Sequence, residues 1–116
     1  MSYKRKGSDL MNLNLFKELL ENKLSVYESF MMKATDYQMG KNKIRPPKKR
    51  WNERKIKRSV NAMWITVVEN IFEKVKSLDG CPGTNEYTSE NIWIEFMEKH
   101  EIFDQLEVEL MDIEFE

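Results

Sequence analysis

The chain has 116 residues, of which 41% are hydrophobic and 34% charged, with a formal net charge of −1. That size supports one domain with a modest core. The near-zero net charge names no partner, and no apolar run approaches the ~20 residues that cross a bilayer, so a membrane protein is not expected.

Residues 1–8 are polar, basic and unpatterned, and are expected to be disordered. The remainder, 9–116, reads as a single helical domain. Lys4, Arg5 and Lys6 are not followed by the apolar segment of a signal peptide. Ser8 and Asp9 offer a helix start. From there Leu13, Phe16, Leu20, Leu24, Tyr27, Met31 and Ala34 recur at spacings of three and four, with Leu19, Lys23 and Val26 beside them. This stripe predicts a helix from about 9 to 38, with a kink near Thr35–Tyr37 and an end at Gly40.

The next stretch dominates the charge distribution. Residues 41–58 hold ten Lys and Arg and one acid, Glu53, whereas residues 59–116 hold three bases and fourteen acids. Pro46 pushes Arg45 out of helical geometry, and Pro46–Pro47 predict a stiff, extended basic arm. Lysines and arginines in a first helical turn oppose the macrodipole, so the next helix is expected to begin after Lys48, Lys49 and Arg50. Asn52 is the better cap, with Glu53 first in the helix and Trp51 paired with Ile56 as a hydrophobic staple. The stripe Ile56, Val60, Trp64, Val67, Ile71, Val75 and Leu78, flanked by Met63, Val68 and Phe72, is the strongest helical signal in the chain. Gly80 ends it.

Residues 79–85 are a loop by their turn residues. A third helix is expected after Thr88, with Tyr87 and Ile92 as a second staple and Ile92, Trp93, Phe96 and Met97 on its apolar face. The last stretch is read as a short fourth helix opened by Asp104, although alternation through Leu106, Val108 and Leu110 also fits a strand. The fold class is therefore all-α: a long antiparallel helical hairpin covered by one or two shorter helices.

The basic stretch is the main candidate site. Arg54 and Arg58 fall about 160° from Ile56 around a helix, on the side away from the core, with Lys55 and Lys57 flanking. Together with Lys41, Lys43, Arg45, Lys48, Lys49 and Arg50 they form a surface suited to nucleic-acid phosphates, because such cations release condensed counterions. Trp51 among them is a candidate base-stacking ring, worth ~1–3 kcal/mol in that role. The plain alternative is a solvated charged face. Pro46–Arg50 also resembles, loosely, a nuclear import signal.

The acidic third is the second candidate. Glu95, Glu98, Glu101, Asp104, Glu107, Glu109, Asp112 and Glu114 interleave with large apolar residues, as on a protein-docking face or a phosphate mimic. The same acids could also fold over the chain's own basic arm or a neighbour's, and the plain alternative is an amphipathic helix with a solvated acidic face.

Chemistry finds little footing, and no enzyme, metal or cofactor is expected. His100, the single histidine, lies at helical spacing from Phe96 and Met97, as a packed ring would. Cys81 has no partner for a disulfide and, with His100 alone, falls far short of a zinc site. The four glycines form no phosphate loop, and Asp79–Gly80 lacks the ligand spacing of a calcium loop. Six of the eight methionines (31, 32, 39, 63, 97 and 111) fall on or beside apolar faces, as core filling requires.

The leading expectation is a non-enzymatic nucleic-acid-binding or nucleoprotein-associated module. The second is a protein–protein effector, an inhibitor or adaptor acting on a nucleic-acid-processing machine through a charged face. A homo-oligomer pairing basic arm with acidic segment is a third. Two alanines against abundant Lys, Asn, Ile and Glu suit an AT-rich genome, such as that of a virus or mobile element. A cytoplasmic or nucleoid-associated location is expected, nuclear in a eukaryotic host.

Overall fold

The computed structural model describes residues 10–84 and 89–115. The disordered start expected for 1–8, the Ser8 cap and the Tyr87 staple lie outside them. The described chain is all-α: five helices, α1 (Leu13–Lys23), α2 (Val26–Ile44), α3 (Glu53–Lys76), α4 (Glu90–Lys99) and α5 (Ile102–Met111), with a 3-10 turn at Pro47–Lys49. Among the described residues there is no strand, so the strand alternative for the last stretch is discarded. No described helix is long and apolar enough to cross a membrane.

The single first helix expected over 9–38 is instead two. α1 starts later, capped by Asn12, whose side chain accepts the Leu15 N–H at 2.9 Å. It stops at Leu24, which is extended (φ −96°, ψ 116°) and 3% exposed. The break falls at Leu24–Ser25 because α2 has an acceptor waiting for its first donors. Ser25 N–H and Oγ–H donate to Glu107 Oε2 at 3.0 and 2.8 Å, and Val26 N–H donates to Oε1 at 2.8 Å. A carboxylate from α5 thus caps α2 from across the bundle, where the macrodipole favours an anion. At the far end of α5, Lys33 Nζ donates to the Met111 carbonyl at 2.6 Å, a cation on orphan carbonyl groups.

The stop expected at Gly40 is absent: α2 runs without interruption past Thr35–Tyr37 and Gly40 to Ile44. Glycine costs a helix only ~1 kcal/mol, which packing overrides. What ends α2 is Pro46, which holds Arg45 extended at φ −67°, ψ 146°.

Two aromatic clusters carry the core. Phe16 (α1), Phe72 (α3) and Trp93 (α4) meet with centroids 4.8–5.8 Å apart. Trp64 of α3 meets Tyr27 and Phe30 of α2 at 4.9 and 5.2 Å, and Phe115 closes over Phe30 and Tyr37, 5.5 Å from each. Both indole N–H groups are satisfied, Trp64 by Glu21 Oε2 at 2.9 Å and Trp93 by the Gly83 carbonyl at 3.1 Å, as burial of tryptophan requires. Leu78 and Ile92, expected on the buried faces, are instead exposed. Gln38 is buried between α2 and α3. Its Nε2 reaches Met63 Sδ at 3.2 Å, while its Oε1 has no partner.

α4 begins as expected, with Ser89 accepting the Ile92 N–H at 3.3 Å. It is separated from α5 by Glu101, whose left-handed backbone (φ 55°) turns the chain. α5 therefore starts at Ile102, ahead of Asp104, the residue expected to open it.

Candidate nucleic-acid interface

The basic stretch is not the extended arm that its prolines suggest. Lys41 and Lys43 ride the last turn of α2, and Lys48 and Lys49 sit on the 3-10 turn. Arg54, Lys55, Lys57 and Arg58 lie on the first turns of α3, all exposed, with Ile56 turned inward. The α3 start is the predicted one: Asn52 Oδ1 accepts the Lys55 N–H at 2.8 Å and Glu53 is the first helical residue.

The loop between the two helices is closed by one side chain. Asn42 Nδ2 donates to the Trp51 carbonyl at 3.0 Å, and Asn42 Oδ1 accepts the Trp51 N–H at 2.8 Å. The same Oδ1 accepts Arg45 Nη1 at 3.0 Å. Asn42 therefore offers Trp51 the donor and acceptor that a neighbouring strand would. Arg50 completes the closure: its Nε and Nη2 donate to the Arg45 and Lys43 carbonyls at 3.1 and 3.3 Å, satisfying acceptors that the end of α2 leaves open. No local pattern in the sequence marks Asn42 for this task, because its partner lies nine residues on.

Trp51 is half-buried, and its ring is engaged by the protein's own cations. The Arg45 guanidinium lies 3.8 Å from the ring centroid and the Lys55 ammonium 4.9 Å. Such contacts contribute ~0.5–1 kcal/mol each when exposed. Trp51 is thus a bed for two cations. Lys41 sits similarly 5.3 Å from the Tyr37 centroid. Ile44, flanked by Lys43 and Arg45, is 86% exposed, an apolar side chain that the sequence reading did not single out.

Among the described residues, none of the ten cations has a carboxylate within 4.0 Å, whereas the ion pairs that do form use Lys17, Lys23 and Lys76. No described acid of the last third pairs with the basic loop.

The acidic candidates are dispersed. Glu95, Glu101, Asp104, Glu109, Asp112 and Glu114 are exposed, and Glu98 approaches Lys23 at 3.8 Å. Glu107 is removed from the docking set, because it caps α2. Burial alone would raise its pKa, but the hydrogen bonds from Ser25 and Val26 outweigh burial and hold it below the ordinary carboxylate value. Glu101, Asp104, Gln105, Val108 and Glu109 line an open groove in which Val108 is 64% exposed.

Burial pushes the Cys81 thiol above its usual pKa, with Lys76 partly opposing, and the thiol donates to the Pro82 carbonyl at 3.3 Å. His100 caps α4 with its ring 4.5 Å from that of Phe96. Comparison with known protein families, curated proteins and solved structures finds no match to this chain.

Proposed function

We propose that the chain is a non-enzymatic nucleic-acid-binding or nucleoprotein-associated module. The binding surface is the end of α2, the 3-10 loop and the first two turns of α3. Lys41, Lys43, Lys48, Lys49, Arg54, Lys55, Lys57 and Arg58 are its phosphate-facing cations, and Arg45 and Arg50 hold its shape. The observation that carries this reading is that so dense a set of cations has no carboxylate within 4.0 Å among the described residues. Unpaired cations at this density repel one another, a cost that an external polyanion removes while releasing its counterions.

The test is a gel-shift or anisotropy titration with single- and double-stranded oligonucleotides across a salt series. Binding should weaken steeply with salt, and the Arg54→Glu/Lys55→Glu/Lys57→Glu/Arg58→Glu variant should abolish it. If the unaltered protein binds neither form at low salt, the reading is wrong.

A second reading is favoured by the exposed Val108 within the acidic groove of α5: a protein effector that docks this face on a basic protein partner. It requires a complex that survives nuclease treatment and is lost on Val108→Asp.

A further inference from the structure

We infer that the ligand of this surface is the phosphate exterior of a nucleic-acid duplex, gripped by its charge, and not a single strand held by its bases; this rests on the nucleic-acid reading above. Proteins that hold single strands without regard to sequence offer aromatic faces on which unpaired bases stack. Among the described residues at this end of the molecule, the rings already have side chains of the protein against them. Arg45 and Lys55 lie 3.8 and 4.9 Å from the Trp51 centroid, and Lys41 and Phe115 lie 5.3 and 5.5 Å from that of Tyr37. The other two tryptophans, Trp64 and Trp93, are 1% and 0% exposed in the core. Ile44 and Met39, the described apolar side chains exposed at this end of the molecule, have no π face to offer a base.

The loop that carries these cations is itself held: Trp51 beds Arg45 and Lys55, Asn42 pins the base of the loop, and Arg50 is tied to two carbonyls. A backbone held in this way presents its cations from fixed positions, which suits a regular array of phosphates. A duplex supplies one, with a charge per ~1.7 Å of axis and a stiff backbone; a flexible strand has about half that density and must be ordered on binding. Duplex DNA and duplex RNA share this chemistry, and binding by either is the same claim.

The experiment titrates the full chain against a blunt duplex DNA, a duplex RNA of matching sequence and each component single strand, at several salt concentrations. At least one duplex should bind ten-fold or more tighter than its single strands, with log K falling linearly in log salt; which duplex binds tighter identifies the source. Single strands that bind within three-fold of both duplexes overturn the inference and leave the nucleic-acid reading standing. Absence of binding to every oligonucleotide removes that reading itself.

Discussion

Charge is put to opposite uses at the two ends of α2. At its N-terminus, Glu107 reaches over from α5 and meets three donors within 3.0 Å. At its C-terminus, a dense run of cations faces solvent with no described carboxylate within 4.0 Å, and the two arginines that make hydrogen bonds serve the loop's own backbone and Asn42. The first charge is consumed by folding. The second set is left available. A charged residue that caps a helix serves stability, and one left unpaired in solvent remains free to meet a counter-charge from outside.

The sharpest way to break this contrast is to reverse the floating set. The four-fold Arg54, Lys55, Lys57 and Arg58 to Glu variant should lose at least 100-fold in nucleic-acid affinity by anisotropy. Its thermal midpoint should move little, because these side chains support no described ion pair. Glu107→Ala should do the reverse. It strands three donors, so unfolding should be easier by about 1–3 kcal/mol in urea titrations, with oligonucleotide affinity unchanged.

The same carboxylate makes the contrast sensitive to acid. Its folded-state pKa is depressed, so its contribution is complete above the unfolded carboxyl value and is lost as pH falls through the lower folded value. The protein should therefore lose stability between about pH 5 and the acid range more steeply than Glu107→Gln does, measured by urea midpoints across pH.

Two smaller effects lie along α2 itself. Gln38→Met should stabilise by about 1 kcal/mol, or ~3–6 °C, since it removes a buried carbonyl oxygen without a partner at similar volume. Gly40→Ala should add about 0.5–1 kcal/mol, because a Cβ there meets nothing within 4 Å. Neither should change binding if the cations alone make the surface.

What could be read from the sequence was local. The all-α class, the Asn52 cap, the α4 start after Thr88 and the extended Arg45 all follow from residues within four positions of one another. The features that escaped are set at long range. The Leu24–Ser25 break depends on a residue more than eighty positions away, and so does the role of Glu107. Gly40 reads as a stop, yet the chain reaches Pro46 before anything forbids another turn. Glu101 enters left-handed geometry without the glycine that usually announces it. In the basic stretch the composition was visible and the conformation was not, because Asn42 and the Trp51 ring act on partners that no periodicity connects.

The Asn42 grip on the Trp51 main chain makes the segment between them modular. With both sides of the loop fastened at the neck and Pro46 ending α2, the exposed Lys48 and Lys49 at its tip can be recoded without disturbing the junction of α2 and α3. A protein built this way can alter what it touches by small edits to one short bend, while the helices below keep their register.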